Sequence, residues 1–96
     1  MIRVDYTRVR YDGPLYFRVD DHATENSDVC VAVSALASAA ALYVKSVTGK
    51  EPDVLEDGLI VIDLKESTHG IAAVFDAIML EISMLCEQYP DDIRNY

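Results

Sequence analysis

The sequence predicts an α+β domain with the element order ββαββα(β), a mostly antiparallel sheet and two long helices. Three observations lead to this prediction. Two hairpin patterns each contain an Asp-Gly turn, and a long apolar segment follows each of them. The length of 96 residues suits a single domain, spanning residues 1–96, with one modest hydrophobic core.

Two runs of alternating apolar and polar residues predict the first hairpin. Their apolar positions are Ile2, Val4 and Tyr6, and then Leu15, Phe17 and Val19. Between the runs, Asp12-Gly13-Pro14 is a turn signal. Alternation of this kind is typical of strands that bury one face, so both runs are expected to cover the core with the same side.

The segment Val29–Val44 predicts the first helix, because it is too long for a strand and apolar on almost every side. Six of its residues are alanines, whose small side chains let neighbouring backbones approach closely. Asn26, Ser27 and Asp28 all suit the N-cap of this helix, and Thr48-Gly49 is expected to end it.

The second hairpin is predicted over Asp53–Lys65, with Asp57-Gly58 as its turn. Leu59–Ile62 is apolar on both faces, which favours a central position in the sheet. A short last strand is expected at Ile93–Tyr96.

The second helix is expected to begin at a cap formed by Ser67 or Thr68 and to stop before Pro90. Its apolar residues recur at steps of three and four, which is typical of a helix that packs one face on a sheet. They are Ile71, Val74, Phe75, Ile78, Ile82, Leu85 and Tyr89.

The charge balance narrows the class of partner. The chain has 17 acidic and 8 basic residues and a net charge of −9, so it repels phosphate backbones and is not expected to bind nucleic acid directly. A basic protein or basic peptide is favoured instead. The start, MIRVDYTRVR, lacks the apolar region of a signal peptide, and Val29–Val44 is short for a membrane span. We therefore expect a soluble cytoplasmic protein with no membrane partner.

Cys30 and His22 are the candidate reactive residues. Cys30 falls in the first turn expected for the first helix, where unpaired N–H groups and the helix dipole favour a thiolate. His22 precedes it by a loop of seven residues and can form a thiolate–imidazolium pair with it. Asp28 is a candidate to orient His22, and Ser34, one turn beyond Cys30, to bind the thiolate or a substrate carbonyl.

Each of these residues also has a structural interpretation. Cys30 suits the core as a small apolar residue, and His22 suits the surface of an acidic loop. Asp28 suits a helix start, and Ser34 can hydrogen-bond to a carbonyl one turn earlier. His69, near the start of the second helix, is an alternative base for Cys30 or an ordinary residue of the capping region.

Other kinds of site find little support in the sequence. The two cysteines lie far apart and are expected to be reduced thiols, with Cys86 packed in the core. No Cys-x-x-Cys or His-x-x-x-His spacing indicates a metal, and no glycine-rich loop indicates a nucleotide. No cofactor is therefore expected.

Two segments resemble the ribosomal-processing cysteine protease family Prp. Asp21-His22-Ala23 is similar to the family's Gly-His-Ala, and Asp28-Val29-Cys30-Val31-Ala32-Val33-Ser34 is similar to its Asp-x-x-Cys-Ala-Ala-Val-Ser. The closing Tyr89-Pro90 followed by Ile93 is also similar, as are the length and the order of elements along nearly the whole chain.

The resemblance implies a cysteine endopeptidase with Cys30 as nucleophile and His22 as base. It further implies a homodimer that removes the N-terminal extension of large-subunit ribosomal protein twenty-seven before ribosome assembly. The substrate would then be a flexible tail on a basic ribosomal protein, in agreement with the acidic balance of this chain.

Three departures from the family pattern leave alternatives open. Asp21 replaces the family's glycine, the loop from His22 to Cys30 is shorter and lacks glycines, and Asp28 lies two rather than three residues before the cysteine. One alternative is a catalytically impaired homodimeric module that binds a basic ribosomal-protein tail without cutting it. Another is an inert structural protein in which Cys30 is buried.

Overall fold

The structure, a computed structural model, describes residues 1–10, 12–21, 27–56 and 58–95. Its elements confirm the α+β class and the predicted order ββαββα(β). They are β1 (Ile2–Arg8), β2 (Leu15–Asp21), α1 (Ser27–Thr48), β3 (Val54–Glu56), β4 (Leu59–Leu64), α2 (His69–Gln88) and β5 (Ile93–Asn95). The last strand thus ends at Asn95, and Tyr96 lies outside the described residues.

The strands form one five-stranded sheet in the order β3-β4-β2-β1-β5. β1 with β2, β2 with β4 and β3 with β4 pair antiparallel, whereas β5 pairs parallel to β1. The sheet is therefore mostly antiparallel, as predicted. β4 is an interior strand between β3 and β2, but the middle position belongs to β2.

The core lies between one face of the sheet and both helices. At its centre the rings of Phe17 on β2 and Phe75 on α2 meet edge to face, with centroids 5.1 Å apart. Tyr6 on β1 stacks on Phe75 at 5.7 Å. Burying these rings removes a large apolar area from water and fixes how α2 sits on the sheet. The largest fully buried aliphatic side chains are Ile2, Val4, Leu15, Val29, Val33, Ile62, Ile71 and Ile82.

The two helices run in opposite directions across the sheet. α1 begins after β2 and finishes near the end of β4, where Lys50 Nζ donates a hydrogen bond to the carbonyl oxygen of Asp63 at 3.1 Å. α2 returns, and after it the N–H of Ile2 donates to the carbonyl oxygen of Asp92 at 2.8 Å. The start of α1, the start of β1 and the end of α2 therefore share one end of the molecule, which we call the α1-start end.

The termini of the helices follow local hydrogen bonding. Thr68, not Ser67, caps α2, because its Oγ1 accepts a hydrogen bond from the N–H of Ile71 at 3.1 Å. Ser67 is buried instead, and its hydroxyl donates to the carbonyl oxygen of Gly13 at 2.9 Å. α1 ends before Gly49, which has a φ of +76° and donates its N–H to Lys45.

Both helices are apolar and long enough to cross a bilayer by length and composition, over Asp28–Thr48 and His69–Gln88. Core helices of soluble proteins have the same properties. Here each helix packs one side against the sheet, with Ala37 and Phe75 completely buried. Packing in the core accounts for part of the apolar composition, because it buries 33% of the most apolar stretch of α1 and 28% of that of α2.

Candidate active site

Cys30 lies in the first turn of α1. The helix begins at Ser27, so Cys30 is its fourth residue, one position later than an N-cap at Ser27 would give. Ser27 and Asp28 lie within the helix, and Asn26, the third candidate for the N-cap, lies outside the described residues. Cys30 is half-buried and packs against the border of the core. Partial exposure beside the positive end of a helix dipole is the setting in which cysteines become reactive.

Cys30 and two serines of α1, Ser34 and Ser38, lie on one flank of the helix. Each residue of an α-helix is rotated by about 100° from the one before, which places Ser34 about 40° and Ser38 about 80° from Cys30. Ser34 and Ser38 are exposed, whereas Val33 and Ala37 face the core. We call Cys30, Ser34 and Ser38 the Cys30 flank. The structure thus brings Ser34 to the side of the helix on which it was predicted.

Asp28 lies on a different side of α1. Asp28 precedes Cys30 by two residues, which corresponds to a rotation of about 200° around the helix axis. The carboxylate of Asp28 therefore leaves the helix on the side away from the Cys30 flank. Asp28 is exposed and is the acidic residue of the first turn, where the helix dipole stabilises a carboxylate. Its predicted role, orienting His22, stays a prediction.

His22 lies outside the described residues, as does the rest of the segment 22–26. The pairing of His22 with Cys30 therefore also stays a prediction. β2 ends at Asp21 and α1 begins at Ser27, so a connection of five residues joins the strand to the helix that carries Cys30.

The alternative base, His69, is at the wrong end of the molecule. It is the first residue of α2, and the next residue, Gly70, lies against Tyr43: a Cβ at Gly70 would be 3.0 Å from the Tyr43 hydroxyl oxygen. Tyr43 is thirteen residues beyond Cys30 on α1, a distance of about 20 Å at 1.5 Å per residue. The hypothesis that His69 activates Cys30 of the same chain is wrong.

A cavity of about 180 Å³ borders the Cys30 flank. Ser34, Ala37 and Ser38 form its wall on α1. The β3–β4 hairpin and β2 form the rest, with Leu55, Glu56, Gly58, Leu59, Ile60 and Val19. The side of α1 that begins at Cys30 therefore faces a partly apolar cavity rather than solvent alone.

Sequence reasoning missed the residues of the second hairpin that complete this cavity. Leu55 is 62% exposed although it is a large aliphatic side chain on a strand. The sequence predicts that Leu55 belongs to a hairpin, but not that this hairpin contacts α1, because that contact is tertiary. The available signal was the spacing of small residues at Ser34, Ala37 and Ser38, which leaves room beside one flank of the helix.

The α1-start end also carries many of the acidic residues. They include Asp20, Asp28, Glu56, Asp91 and Asp92, while Arg3 and Arg94 are the neighbouring bases on β1 and β5. Asp20 forms an ion pair with Arg18, with 3.5 Å between Oδ2 and Nη2. Acidic groups around a candidate nucleophile attract cationic peptides and oppose anionic ones.

Cys86 provides an internal comparison for Cys30. It lies near the end of α2, is half-buried and packs against the core, as predicted. Burial raises the pKa of the Cys86 thiol. This thiol therefore stays protonated at neutral pH, which is the inert behaviour of a packing cysteine.

Within the described ranges, no group of three or more His, Cys, Asp or Glu residues is arranged to hold a metal ion. The chemistry of the site therefore has to be argued from Cys30 and its neighbours.

Comparison with known proteins identifies the family of this chain. The family model for the cysteine protease Prp (Peptidase_Prp) matches residues 1–94. The chain belongs to the cysteine protease Prp family. Among curated proteins, no sequence matches it.

Solved structures share the Prp fold of this chain. SMU.848 from Streptococcus mutans superposes with a TM-score of 0.79 at 24% identity, over 99% of this chain and 95% of that one. The essential ribosomal processing protease Prp from S. aureus, bound covalently to a product peptide, gives 0.74 at 22% identity, over 99% and 97%. The same protease with a substrate peptide gives 0.72 at 21% identity, over 100% and 98%.

Proposed function

We propose that this chain is a cysteine endopeptidase in which Cys30 is the nucleophile and His22 the base. One observation carries the proposal. Of the two cysteines of this protease-family chain, Cys30 lies in a first helical turn, one turn before Ser34 in the wall of a cavity, whereas Cys86 is a packing residue with a raised pKa. A helix start favours the thiolate, and a cavity leaves room for substrate.

The proposed reaction is acyl transfer through a thioester. The Cys30 sulfur attacks the peptide carbonyl carbon, a C–S bond forms, and the carbonyl electron pair moves to the oxygen. His22 holds the thiol proton and delivers it to the leaving amine as the C–N bond breaks. Water then attacks the thioester, which releases the acid and restores the thiol. N–H groups at the start of α1, with the Ser34 hydroxyl, stabilise the oxyanion.

The proposed substrate is the N-terminal extension of large-subunit ribosomal protein twenty-seven, removed before ribosome assembly. A basic ribosomal-protein tail fits the net charge of −9 and the acidic residues of the α1-start end. The S. aureus relative is a ribosomal processing protease that binds a substrate peptide and holds a covalently linked product peptide. Cleavage in the cytoplasm, without a cofactor, nucleic acid or membrane, completes the proposal.

The proposed state of the protein is a homodimer. Both helices expose apolar side chains on the side away from the sheet: Val31 and Leu42 on α1, and Leu80 and Met84 on α2. Large exposed apolar side chains that recur along packed helices favour burial against another protein. A second copy of the chain would cover them.

Cleavage of a peptide tests the proposed activity. A peptide that spans the junction of the extension and the mature ribosomal protein is incubated with wild type, Cys30→Ala and Cys86→Ala, and the products are identified by mass spectrometry. We expect one cut by wild type and by Cys86→Ala and none by Cys30→Ala. Equal cleavage by Cys30→Ala would remove Cys30 from the mechanism.

The same experiment separates the second candidate, a module that binds the basic tail without cutting it. Asp21 in place of the family's glycine and the short loop before Cys30 favour this candidate. It predicts that wild type binds the peptide without turnover and that alkylation of Cys30 leaves the affinity unchanged.

A further inference from the structure

The outer edge of β3 lies next to the cavity and is not paired with any strand in the described part of the chain. β3 is the first strand in the order β3-β4-β2-β1-β5, and among the described strands it pairs only with β4. Edge strands expose backbone N–H and C=O groups that accept a further strand. Because this edge lies beside the Cys30 flank, a peptide substrate is the candidate for the added strand.

Leu55 presents its backbone to that edge. Glu56 and Leu59 pair across the two-residue turn of the hairpin, and Leu55 pairs with Ile60. The pair that closes a two-residue turn exchanges hydrogen bonds, and the next pair does not. The N–H and C=O of Leu55 therefore point away from β4, towards the free edge.

The side chain of Leu55 lies on the side of the sheet that faces the helices. Ile60, its partner, is buried towards the helices, so Leu55 points to that face as well. It is 62% exposed and lines the cavity with Ser34 and Ser38. The cavity thus opens between α1 and the edge of β3.

We propose that a peptide substrate docks as an added strand on the outer edge of β3, pairs with the backbone of Leu55 and places one large apolar side chain in the cavity. The inference rests on the proposed function, whose substrate it docks. Peptide recognition by strand addition uses main-chain hydrogen bonds for affinity and pockets for alternate side chains. β3 and the cavity supply both.

The dimensions agree with this arrangement. A dry apolar cavity of about 150 Å³ holds a benzene ring, so the 180 Å³ here accommodates one aromatic or branched aliphatic side chain. Ser34 and Ser38 lie about 6 Å and 12 Å along α1 from Cys30. A strand rises about 3.4 Å per residue, so the scissile bond lies about two to four residues from the side chain in the cavity.

The backbone pairing with Leu55 determines which substrate side chain enters the cavity. Residues that face each other across two strands send their side chains to the same face. The substrate residue opposite Leu55 is therefore the one whose side chain enters the cavity. With the substrate antiparallel to β3, its own N–H donates to the carbonyl oxygen of Leu55, whereas the N–H of the next residue points away from the protein.

Binding of a fluorescent peptide to Cys30→Ala protein separates docking from cleavage. The peptide spans the junction of the ribosomal-protein extension, and its Kd is compared for Leu55→Pro and Leu55→Ala. Proline removes the N–H and is tolerated on edge strands, while alanine keeps it. Since both remove the leucine side chain, we expect Leu55→Pro to bind about tenfold more weakly than Leu55→Ala.

A scan of N-methylated peptides tests the same contact without changing the protein. We expect one methylated residue, the cavity residue, to weaken binding about tenfold, with both neighbours close to the parent peptide. Ser38→Leu, which fills the cavity, is expected to weaken binding of the parent peptide but not of one with alanine at that residue. Alkylation of Cys30 by iodoacetamide should be unchanged in Leu55→Pro and Ser38→Leu enzyme.

The outcomes distinguish the docking mode from the activity. Equal affinities for Leu55→Pro and Leu55→Ala, with a flat methylation scan and normal cleavage, overturn strand addition and leave the protease standing. A loss of the dimer in Leu55→Pro without a change in peptide affinity assigns the edge to a second copy and overturns the proposal. The predicted methylation pattern without turnover supports the docking mode and contradicts the protease. A peptide that neither binds nor is cut overturns both.

Discussion

The carboxylate of Asp53 accepts a hydrogen bond from the backbone N–H of Asp63, with 2.6 Å between Oδ2 and N. The ammonium group of Lys50 donates to the same oxygen at 3.0 Å. These contacts join the segment after α1 to the end of β4, and so hold the hairpin that forms one wall of the cavity.

The Asp53 contact predicts a pH-dependent contribution to stability. The hydrogen bond from the Asp63 N–H, and then Lys50, lower the pKa of Asp53 below its ordinary value. A lowered carboxyl pKa stabilises the fold above the unfolded-state pKa of about 3.9, and this is lost as pH falls through the folded-state value. We expect Asp53→Asn to be less stable than wild type at pH 7, by less than about 1 kcal/mol because the site is exposed.

Urea unfolding at several pH values checks this expectation. The difference between wild type and Asp53→Asn should shrink towards zero only as pH falls through the lowered folded-state pKa of Asp53, because both side chains are neutral below it. A difference that stays constant from pH 7 to pH 2 would show that the charge of Asp53 contributes nothing.

An ion pair between β1 and α2, in which one guanidinium nitrogen of Arg8 contacts both oxygens of Asp76, predicts a measurable coupling. Arg8 Nη2 donates to both carboxylate oxygens of Asp76 at 3.0 Å, and Arg8 Nε donates to the Tyr6 hydroxyl at 3.0 Å. The Arg8 side chain is 19% exposed and that of Asp76 40%, so solvent screens this pair in part. A double-mutant cycle of Arg8→Ala and Asp76→Ala is expected to show a favourable coupling between the two side chains. Strictly additive losses in chemical denaturation would contradict it.

The cap of α2 predicts a position-specific loss. Thr68→Ala removes the oxygen that accepts from the N–H of Ile71, and we expect the free energy of unfolding to fall by about 1 kcal/mol. The matched control is Ser46→Ala on α1, whose exposed hydroxyl donates to the carbonyl oxygen of Tyr43, already within the helix. It should change stability by less than about 0.5 kcal/mol. Equal losses from the two substitutions would argue against a capping role for Thr68.

The acidic α1-start end predicts that substrate binding depends on salt. If the acidic residues near Cys30 attract a basic peptide, added KCl should raise KM while kcat stays nearly constant. Measuring both constants between about 0.05 and 0.5 M KCl tests this, with a neutral peptide of the same length as control. A KM that does not respond to salt would mean that the acidic balance serves other purposes, such as solubility.

Much of the fold could be predicted because its signals are local. Alternation at Val4 and Phe17 and the steps from Ile71 to Phe75 depend only on which face is buried. The choice between Ser67 and Thr68 as cap could not be made, because it depends on the carbonyl of Gly13, 54 residues away, which takes the Ser67 hydroxyl. The parallel pairing of β5 with β1 is likewise a tertiary contact without a local signature.

The candidate site divides in the same way. Cys30 at a helix start and Ser34 on the same flank follow from helical spacing. The exclusion of His69 required the directions of the two helices, which bring its end of α2 to Tyr43. The cavity required the contact between α1 and Leu55.

The reactivity of Cys30 against pH tests the central claim most directly. Iodoacetamide is reacted with Cys86→Ser protein, with and without the further change His22→Ala, and modification is followed by mass spectrometry. The account predicts fast alkylation of Cys30 that persists well below pH 8 and is lost in the His22→Ala protein. A slow reaction that rises only near the free-thiol pKa of about 8.5, with no response to His22→Ala, would contradict it and make Cys30 a packing residue.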